Sequence, residues 1–238
     1  MPYQPIENYG IIGNMHTVAL VGMNGSIDWL CFPHFKSPSV FAAILDDEKG
    51  GYLKIAPTAE EVTYKQFYWP ETNVLITRFL SADGVGEITD YMTAPEPGGG
   101  KEHQHQLFRR VNVVRGTMEF KVECRPAFNY GRDEHLLDIT LEGAAFYSPK
   151  LSLGLSSSAL LKQDGNGAVR EFELNEGQSA IFILQEIEAG AGCTACMTER
   201  EAVQVFVKTV DYWRRWIAKC TYTGRWREVV HRSALALK

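Results

Sequence analysis

The chain has 238 residues, of which 45% are hydrophobic, 11% aromatic and 22% charged, and its formal net charge is -5. This composition is sufficient for a buried core and excludes an intrinsically disordered chain. The negative charge argues against nucleic acid and anionic membrane surfaces as partners, because both require clustered Lys and Arg side chains. We therefore expect a globular protein with a neutral partner.

The chain shows no targeting signal or membrane segment. The residues that follow Met1 lack the basic and apolar regions of a signal peptide, and no stretch approaches the roughly 20 apolar residues of a membrane span. Five cysteines, an odd number spread over a long chain, are typical of reduced thiols. These features predict a cytoplasmic location.

Short runs of Val, Ile, Leu, Phe and Tyr between glycine-containing turns dominate residues 17–190. Asn24-Gly25 is the strongest hairpin signal, because both central residues of a type I′ turn need a positive φ. Further turns are predicted at Asp83-Gly84, Arg115-Gly116, Glu142-Gly143, residues 164–167 and residues 175–177. The spacing predicts on the order of a dozen antiparallel strands, which would pack as a large β-sandwich.

Residues 117–124 alternate between apolar and polar side chains. Met118, Phe120, Val122 and Cys124 would share one face of a strand, with charged residues on the other. This strand is therefore predicted to have one buried and one solvent-exposed face.

The period changes to that of a helix after residue 192. Thr198 is predicted to cap a helix that has Glu199 and Glu201 in its first turn. The apolar positions of this helix are Val203, Phe206, Val207, Val210, Trp213 and Ile217.

A second helix is predicted after residues 222–224. Its apolar positions are Trp226, Val229, Val230, Ala234 and Leu237, and no stop signal precedes Lys238. We expect this helix to be truncated and its apolar face to need a partner outside the chain.

Three groups of segments carry a resemblance to a known family. Residues 8–14, 19–31 and 37–46 resemble the opening of family-15 glycoside hydrolases, which include glucoamylase-like and trehalase-like members. Residues 212–216 and 220–238 are similar to that family's passage from its sandwich into its catalytic domain, and residues 125–132 match a segment between them. The resemblance therefore extends from end to end.

The resemblance implies a mainly β fold: a large antiparallel super-β-sandwich over residues 1–195, a linker helix over 196–222, and the start of an (α/α)6 barrel over 223–238. It also implies inverting hydrolysis of α-glucosidic bonds, which needs a carboxylic acid and a carboxylate. Both family glutamates lie in the barrel, so no catalytic residue is assigned in this chain, and no cofactor or metal is implied. The implied partners are the catalytic barrel and an α-glucan or trehalose-like sugar.

One loop departs from the family motif Pro-Arg-Phe-Asp-Ser-Pro. The chain has Pro33-His34-Phe35-Lys36-Ser37-Pro38, in which His and Lys replace a basic and an acidic residue. The exchange bears on substrate preference if this loop lines the entrance to the barrel.

Asp28 and Trp29, together with His34, Phe35 and Lys36, are the candidate sugar contacts. Aromatic faces stack on pyranose rings, and a carboxylate accepts hydrogen bonds from hydroxyl groups. The alternative is a buried Trp beside a carboxylate that serves the hairpin turn.

The helical region combines tryptophan with arginine. Trp213, Trp216, Trp226 and Arg227 are predicted to form a domain interface, since the overall charge opposes a nucleic-acid patch.

Two alternative functions stay open. The chain would be a free-standing carbohydrate-binding module if the sandwich bound sugar by itself. It would be a thiol or zinc protein if Cys193 and Cys196 acted as a pair, although no further ligand pair accompanies them. His103 and His105 are interpreted as a solvated loop edge rather than a metal site.

Overall fold

The computed structural model describes residues 3–94 and 105–238. Within these ranges the chain forms fifteen strands, and every strand pair is antiparallel. The prediction of a mainly β fold with a large antiparallel sheet is confirmed.

The strands are arranged in two layers that share one long strand, β9 (Gln106–Arg125). The first layer contains β1 (Tyr9–Gly13), β2 (Val18–Gly22), β3 (Ser26–Cys31), β4 (Ser39–Phe41), β5 (Tyr52–Pro57), β13 (Lys162–Asp164) and β14 (Gly167–Asn175). The second layer contains β6 (Thr63–Tyr68), β7 (Leu75–Leu80), β8 (Gly84–Met92), β10 (Leu136–Ile139), β11 (Gly143–Tyr147), β12 (Ser152–Ser157) and β15 (Ser179–Ile187). A 3-10 turn covers Ile6–Asn8, and a short helical turn, α1, covers Phe128–Gly131.

The predicted turn at Arg115-Gly116 is wrong, because β9 continues through it. Gly116 has a φ of +73°, and the register with β8 shifts beside it. A glycine with positive φ and an irregular register bend a strand without ending it. The first half of β9 pairs with β8 and β15 in the second layer, and its second half pairs with β5 and β14 in the first layer.

The predicted turn at residues 175–177 is confirmed. At this turn the chain passes between the two layers, as it does at the bend in β9. β14 pairs with the second half of β9, whereas β15 pairs with the first half. The Gly177 amide donates to the carbonyl oxygen of Val113 over 2.9 Å, which holds this turn against the bend in β9. The two crossings lie side by side and join the two layers.

The core lies between the layers and is rich in aromatic rings. Phe120 of the first layer lies 6.2 Å from Phe79 of the second, and Phe172 lies 5.6 Å from Phe182 (ring centroids). The alternation predicted for residues 117–124 is confirmed, since the four apolar side chains Met118, Phe120, Val122 and Cys124 are all buried.

A buried ion pair also connects the layers. Arg109 on β9 donates to the carboxylate of Asp90 on β8 over 2.8 Å, and both side chains are fully buried. The same guanidinium donates to the carbonyl oxygens of Gly25, over 2.8 Å, and Leu53, over 2.6 Å, in the first layer. A buried charge is stable only when it is paired and hydrogen-bonded, and Arg109 meets both conditions.

The first long helix, α2, covers Glu199–Ile217 and begins with the predicted capping box of Thr198 and Glu201. Its predicted apolar face is wrong at Val203 and Val207, which are 45% and 48% exposed. The helix instead turns its buried residues Ala202, Thr209, Val210, Trp213 and Ile217 toward the protein. Near its N-terminal end it packs on the outer face of the second layer, which is therefore covered on both faces.

The second long helix, α3, covers Arg227–Leu237. It begins close to the predicted start after residues 222–224. It buries His231 and Leu235, whereas Val229 is 64% and Leu237 86% exposed. In residues 3–94 and 105–238, neither helix has the length and apolar character needed to cross a lipid bilayer.

Candidate functional site

The loop between β3 and β4, residues 32–38, lies where the sandwich meets the helices. The amide of Phe35 donates to the carbonyl oxygen of His16 over 2.8 Å. The amide of Ser37 donates to the carbonyl oxygen of His34 over 2.9 Å. The first bond ties the loop to the turn between β1 and β2. Three of the predicted sugar-contact residues, His34, Phe35 and Lys36, belong to this loop.

Phe35 lines a small crevice beside α3. The side chain is 59% exposed and lines a cavity of about 60 Å³ together with Met15, Trp213, Arg232 and Leu235. Lys36 is exposed next to it. The loop therefore presents an aromatic and a cationic side chain at the junction between the sandwich and the helices.

Asp28 lies in a different place from Phe35. Its carboxylate accepts hydrogen bonds from the Tyr9 hydroxyl, over 2.7 Å, and from the Ser26 hydroxyl. It lines a separate cavity of about 40 Å³ with Tyr9, Asn24 and Tyr52. Burial, and next the hydrogen bond to Asp28, raise the pKa of Tyr9.

Trp29 is half-buried on β3 and pairs with Leu20 of β2. The structure thus distributes the five predicted sugar contacts over separate positions, and those that line a cavity do not share one. The Asp28 carboxylate accepts its bond from Ser26 at the start of β3, next to the β2–β3 hairpin turn.

His34 belongs to a histidine cluster formed by His16, His34 and His105. The ring centroids lie 5.8 Å apart for His16 and His34, 5.2 Å for His16 and His105, and 4.8 Å for His34 and His105. His105 is therefore packed against other rings, while His103 lies outside the described residues. Sequence reasoning missed His16, because nothing in the local pattern connects three segments so far apart in the chain.

The rings of the histidine cluster contact one another at steep angles and do not form a metal centre. In residues 3–94 and 105–238, no group of three or more His, Cys, Asp or Glu side chains is arranged to hold a metal ion. The cluster is a packing arrangement of imidazole rings.

The four predicted interface residues have different surroundings. Trp213 is 1% exposed and forms a small core with Ile217 and Leu235. Trp216 is half-buried, with the Lys238 ammonium 5.5 Å from its ring. Trp226 is 57% exposed, and exposed Arg227 lies 3.4 Å from the carboxylate of Glu71. Trp213 therefore serves an interface inside this chain, and Trp226 is open to solvent.

Helix α3 is held by residues of the β6–β7 turn that sequence reasoning did not single out. Arg232 donates to the carbonyl oxygen of Thr72 over 2.8 Å and to the side-chain oxygen of Asn73. The Asn73 side-chain amide donates in turn to the carbonyl oxygen of Leu235 over 2.9 Å. These contacts place α3 against the same end of the sandwich as the 32–38 loop.

Cys193 and Cys196 are both shielded thiols. Cys193 is buried with its Sγ 3.4 Å from the Ser156 hydroxyl oxygen, and Cys196 is half-buried. Burial raises the pKa of Cys193 and raises the pKa of Cys196 to about 11. Reactive cysteines have a lowered pKa, so these two thiols lack the property that a redox pair requires.

The chain thus combines a two-layer β-sandwich with a helical pair that carries exposed apolar side chains. Residues 2–162 match the family described as Trehalase-like, N-terminal, and the chain belongs to this family. The resemblance predicted from the sequence is confirmed as a trehalase-like one.

Curated relatives agree with this assignment. The chain is 34% identical over 238 residues to a trehalase of Thermoplasma volcanium, covering 99% of this chain and 37% of that protein. It is 34% identical over 221 residues to a trehalase of Thermoplasma acidophilum, covering 92% and 37%. It is 28% identical over 263 residues to a trehalase of Mycolicibacterium smegmatis, covering 100% and 38%. The chain thus spans little more than a third of the length of these relatives.

Proposed function

We propose that the chain is the non-catalytic N-terminal domain of a larger trehalase-type glycoside hydrolase, and that it supports a catalytic helical domain outside this chain. The observation that carries the proposal is the match to an N-terminal family by a chain that covers about 37% of trehalase relatives. Most of the length of those relatives is therefore available for the catalytic domain.

The docking surface for that domain is proposed to lie on the two helices. Trp226, Val229 and Leu237 on or next to α3 are exposed, as are Val203 and Val207 on α2. Exposed apolar side chains on helices are typical of surfaces that pack against another domain. Their exposure supports the division into a sandwich over residues 1–195, a linker helix over 196–222 and the first residues of the next domain over 223–238.

The substrate of the whole enzyme is proposed to be trehalose or a related α-glucoside. The names of the relatives support trehalose in particular. Inversion at the anomeric carbon needs two carboxyl groups that reach the sugar. Asp90 cannot be one of them, because it is fully buried in its pair with Arg109. We place both carboxyl groups in the catalytic domain.

The 32–38 loop is proposed to shape the entrance to that catalytic site. Phe35 and Lys36 are exposed at the junction with the helices, where a following domain would lie. A reducing compartment such as the cytoplasm is proposed as the location, and the support for it is that all five cysteines are free thiols.

The test is an activity measurement on the purified 238-residue chain. We expect no release of glucose from trehalose, maltose or starch above the rate of a buffer control. The matched positive control is the full-length enzyme under the same conditions. Enzyme-like glucose release by the 238-residue chain would show that the chemistry does not lie downstream.

A carbohydrate-binding module is the second candidate, and the exposed ring of Phe35 is the observation that favours it. Titration calorimetry with trehalose and maltooligosaccharides distinguishes the two. Saturable binding that is lost in Phe35→Ala or Trp29→Ala would favour the module. No heat of binding in the wild-type chain would favour the supporting role.

A further inference from the structure

The histidine cluster joins three segments that are separate in the fold. His16 lies in the β1–β2 turn and His34 in the 32–38 loop, both of the first layer, whereas His105 directly precedes β9 in the second layer. The His105 ring also lies 6.4 Å from that of Phe32, which belongs to the core between the layers. The cluster therefore closes the core at the end where the loop lies.

The cluster is held by ring packing and not by charge pairing. The Nδ1 atom of His105 is buried and has no hydrogen-bond partner among residues 3–94 and 105–238. Burial lowers the pKa of His105, and the proximity of His34 and then of His16 lowers it further. Lys150, Glu186 and Glu188 line an open cavity beside His105, Lys36 belongs to the 32–38 loop, and all four side chains are exposed. Among the described residues, the charges of His34 and His16 are the ones that act on His105.

Packed neutral imidazoles become mutually repulsive when more than one of them is protonated. An imidazolium whose surface is partly buried is also poorly solvated. The closed arrangement therefore favours the neutral rings.

We propose that the histidine cluster is an acid-sensitive latch, which holds the 32–38 loop against the end of the sandwich at neutral pH and releases it at acidic pH. The latch concerns the sandwich alone and does not depend on the proposed function of the chain.

The direction of the effect follows from proton linkage. A released histidine titrates near its usual pKa of about 6.5, whereas burial in the closed cluster keeps the pKa of His105 below its usual value. The stability of the closed loop is therefore complete above about pH 6.5 and falls as the pH drops below it. One histidine that cannot protonate in the closed state weakens closure about tenfold by about pH 5.5.

The test is hydrogen exchange of the whole chain at several pH values, corrected for the intrinsic exchange rates. The reporter is the amide of Phe35, which is hydrogen-bonded to the carbonyl oxygen of His16 in the closed loop. We expect its protection factor to fall about tenfold or more between about pH 7.5 and about pH 5.5. Protection of core strands such as β9 should change much less.

His105→Phe is the diagnostic variant, because a phenyl ring can pack in the same place and cannot be protonated. We expect the pH dependence of the Phe35 amide to be reduced in this variant. His135→Phe is the matched control, since His135 also packs between aromatic rings, those of Phe128 and Phe146, but outside the cluster. Its Phe35 amide should keep the wild-type pH dependence.

The proposal is overturned if wild-type protection is independent of pH, or if His105→Phe has the same pH dependence as the wild type. Should this variant fail to fold, NMR titration of the wild-type imidazoles decides. Titration of His105 below the usual range, coupled to the other two rings, supports the latch. Titration at or above about 6.5 contradicts it.

Discussion

The guanidinium carbon of Arg232 on α3 lies 3.9 Å from the ring centroid of Tyr68 on β6. This cation–π contact adds to the hydrogen bonds from Arg232 to Thr72 and Asn73. Arg232 thus attaches the last helix to the sandwich through one cation–π contact and two hydrogen bonds, in addition to the bond from Asn73 to Leu235. The outward residues Val229 and Leu237 are thereby held in a defined position.

Replacement of Arg232 should therefore loosen α3. We expect Arg232→Gln to make the docking of α3 on the sandwich less favourable by about 1–3 kcal/mol, because a cation–π contact and charged hydrogen bonds are lost together. Hydrogen exchange of the α3 amides measures the effect. Arg214→Gln, at an exposed arginine on α2, is the control and should leave α3 unchanged. Equal exchange in the two variants would show that Arg232 does not hold the helix.

The buried pair of Arg109 and Asp90 predicts a large loss of stability on substitution. Arg109→Met leaves the Asp90 carboxylate buried without its partner, and we expect a cost of about 3–5 kcal/mol in the free energy of unfolding. Urea denaturation measures it. The control is Arg78→Met, which breaks a partly exposed pair with Glu87 and should cost about 0–1 kcal/mol. Similar losses in both variants would contradict this assignment.

The bend in β9 predicts that Gly116 cannot be replaced. A side chain there would need a positive φ, and its Cβ would overlap the carbonyl oxygen of Asp83. Gly177 has a similar φ of +79° but open space around it. We expect Gly177→Ala to cost about 1–2 kcal/mol and Gly116→Ala clearly more, about 3 kcal/mol or above. Thermal or urea unfolding compares them, and a smaller loss for Gly116→Ala would refute the steric argument.

The raised pKa of Cys196, about 11, predicts slow alkylation of the folded protein. Because the thiolate is the reactive form, the rate at Cys196 should rise about tenfold per pH unit up to about pH 9, without levelling off. Iodoacetamide labelling followed by peptide mapping measures this rate. In urea, the same peptide should react faster and level off near the usual cysteine pKa of about 8.5. A plateau below about pH 8 in the folded protein would contradict the shielding.

Local features of this protein were predictable where one short segment decides them. The inward face of residues 117–124 follows from period-two alternation, and the start of α2 follows from the capping box of Thr198 and Glu201. Backbone geometry alone relates these residues to their neighbours, so no distant contact is needed to interpret them.

Predictions failed where a distant contact decides the outcome. Val203 and Val207 have the spacing of an apolar helix face, yet both are exposed. The residues of α2 that pack on the outer face of the second layer include Ala202 and Phe206, each one position earlier in the chain. Gly116 has the residue type of a turn, but pairing on both sides carries β9 through it. In each case the choice depends on which surface lies opposite, and local pattern does not contain that information.

The sequence by itself determined the mainly β class, the strand-rich first part and the helical end, because alternation, turn residues and caps act over a few positions. The resemblance to family-15 glycoside hydrolases rested instead on family motifs at both ends of the chain. The tertiary structure decided which strands share β9, how α3 is attached through Arg232 and Asn73, and that His16, His34 and His105 meet. Those relationships bring together residues as much as 162 positions apart, as Asn73 and Leu235 are. Such pairs meet only because burial of one common core selects a single arrangement of the whole chain.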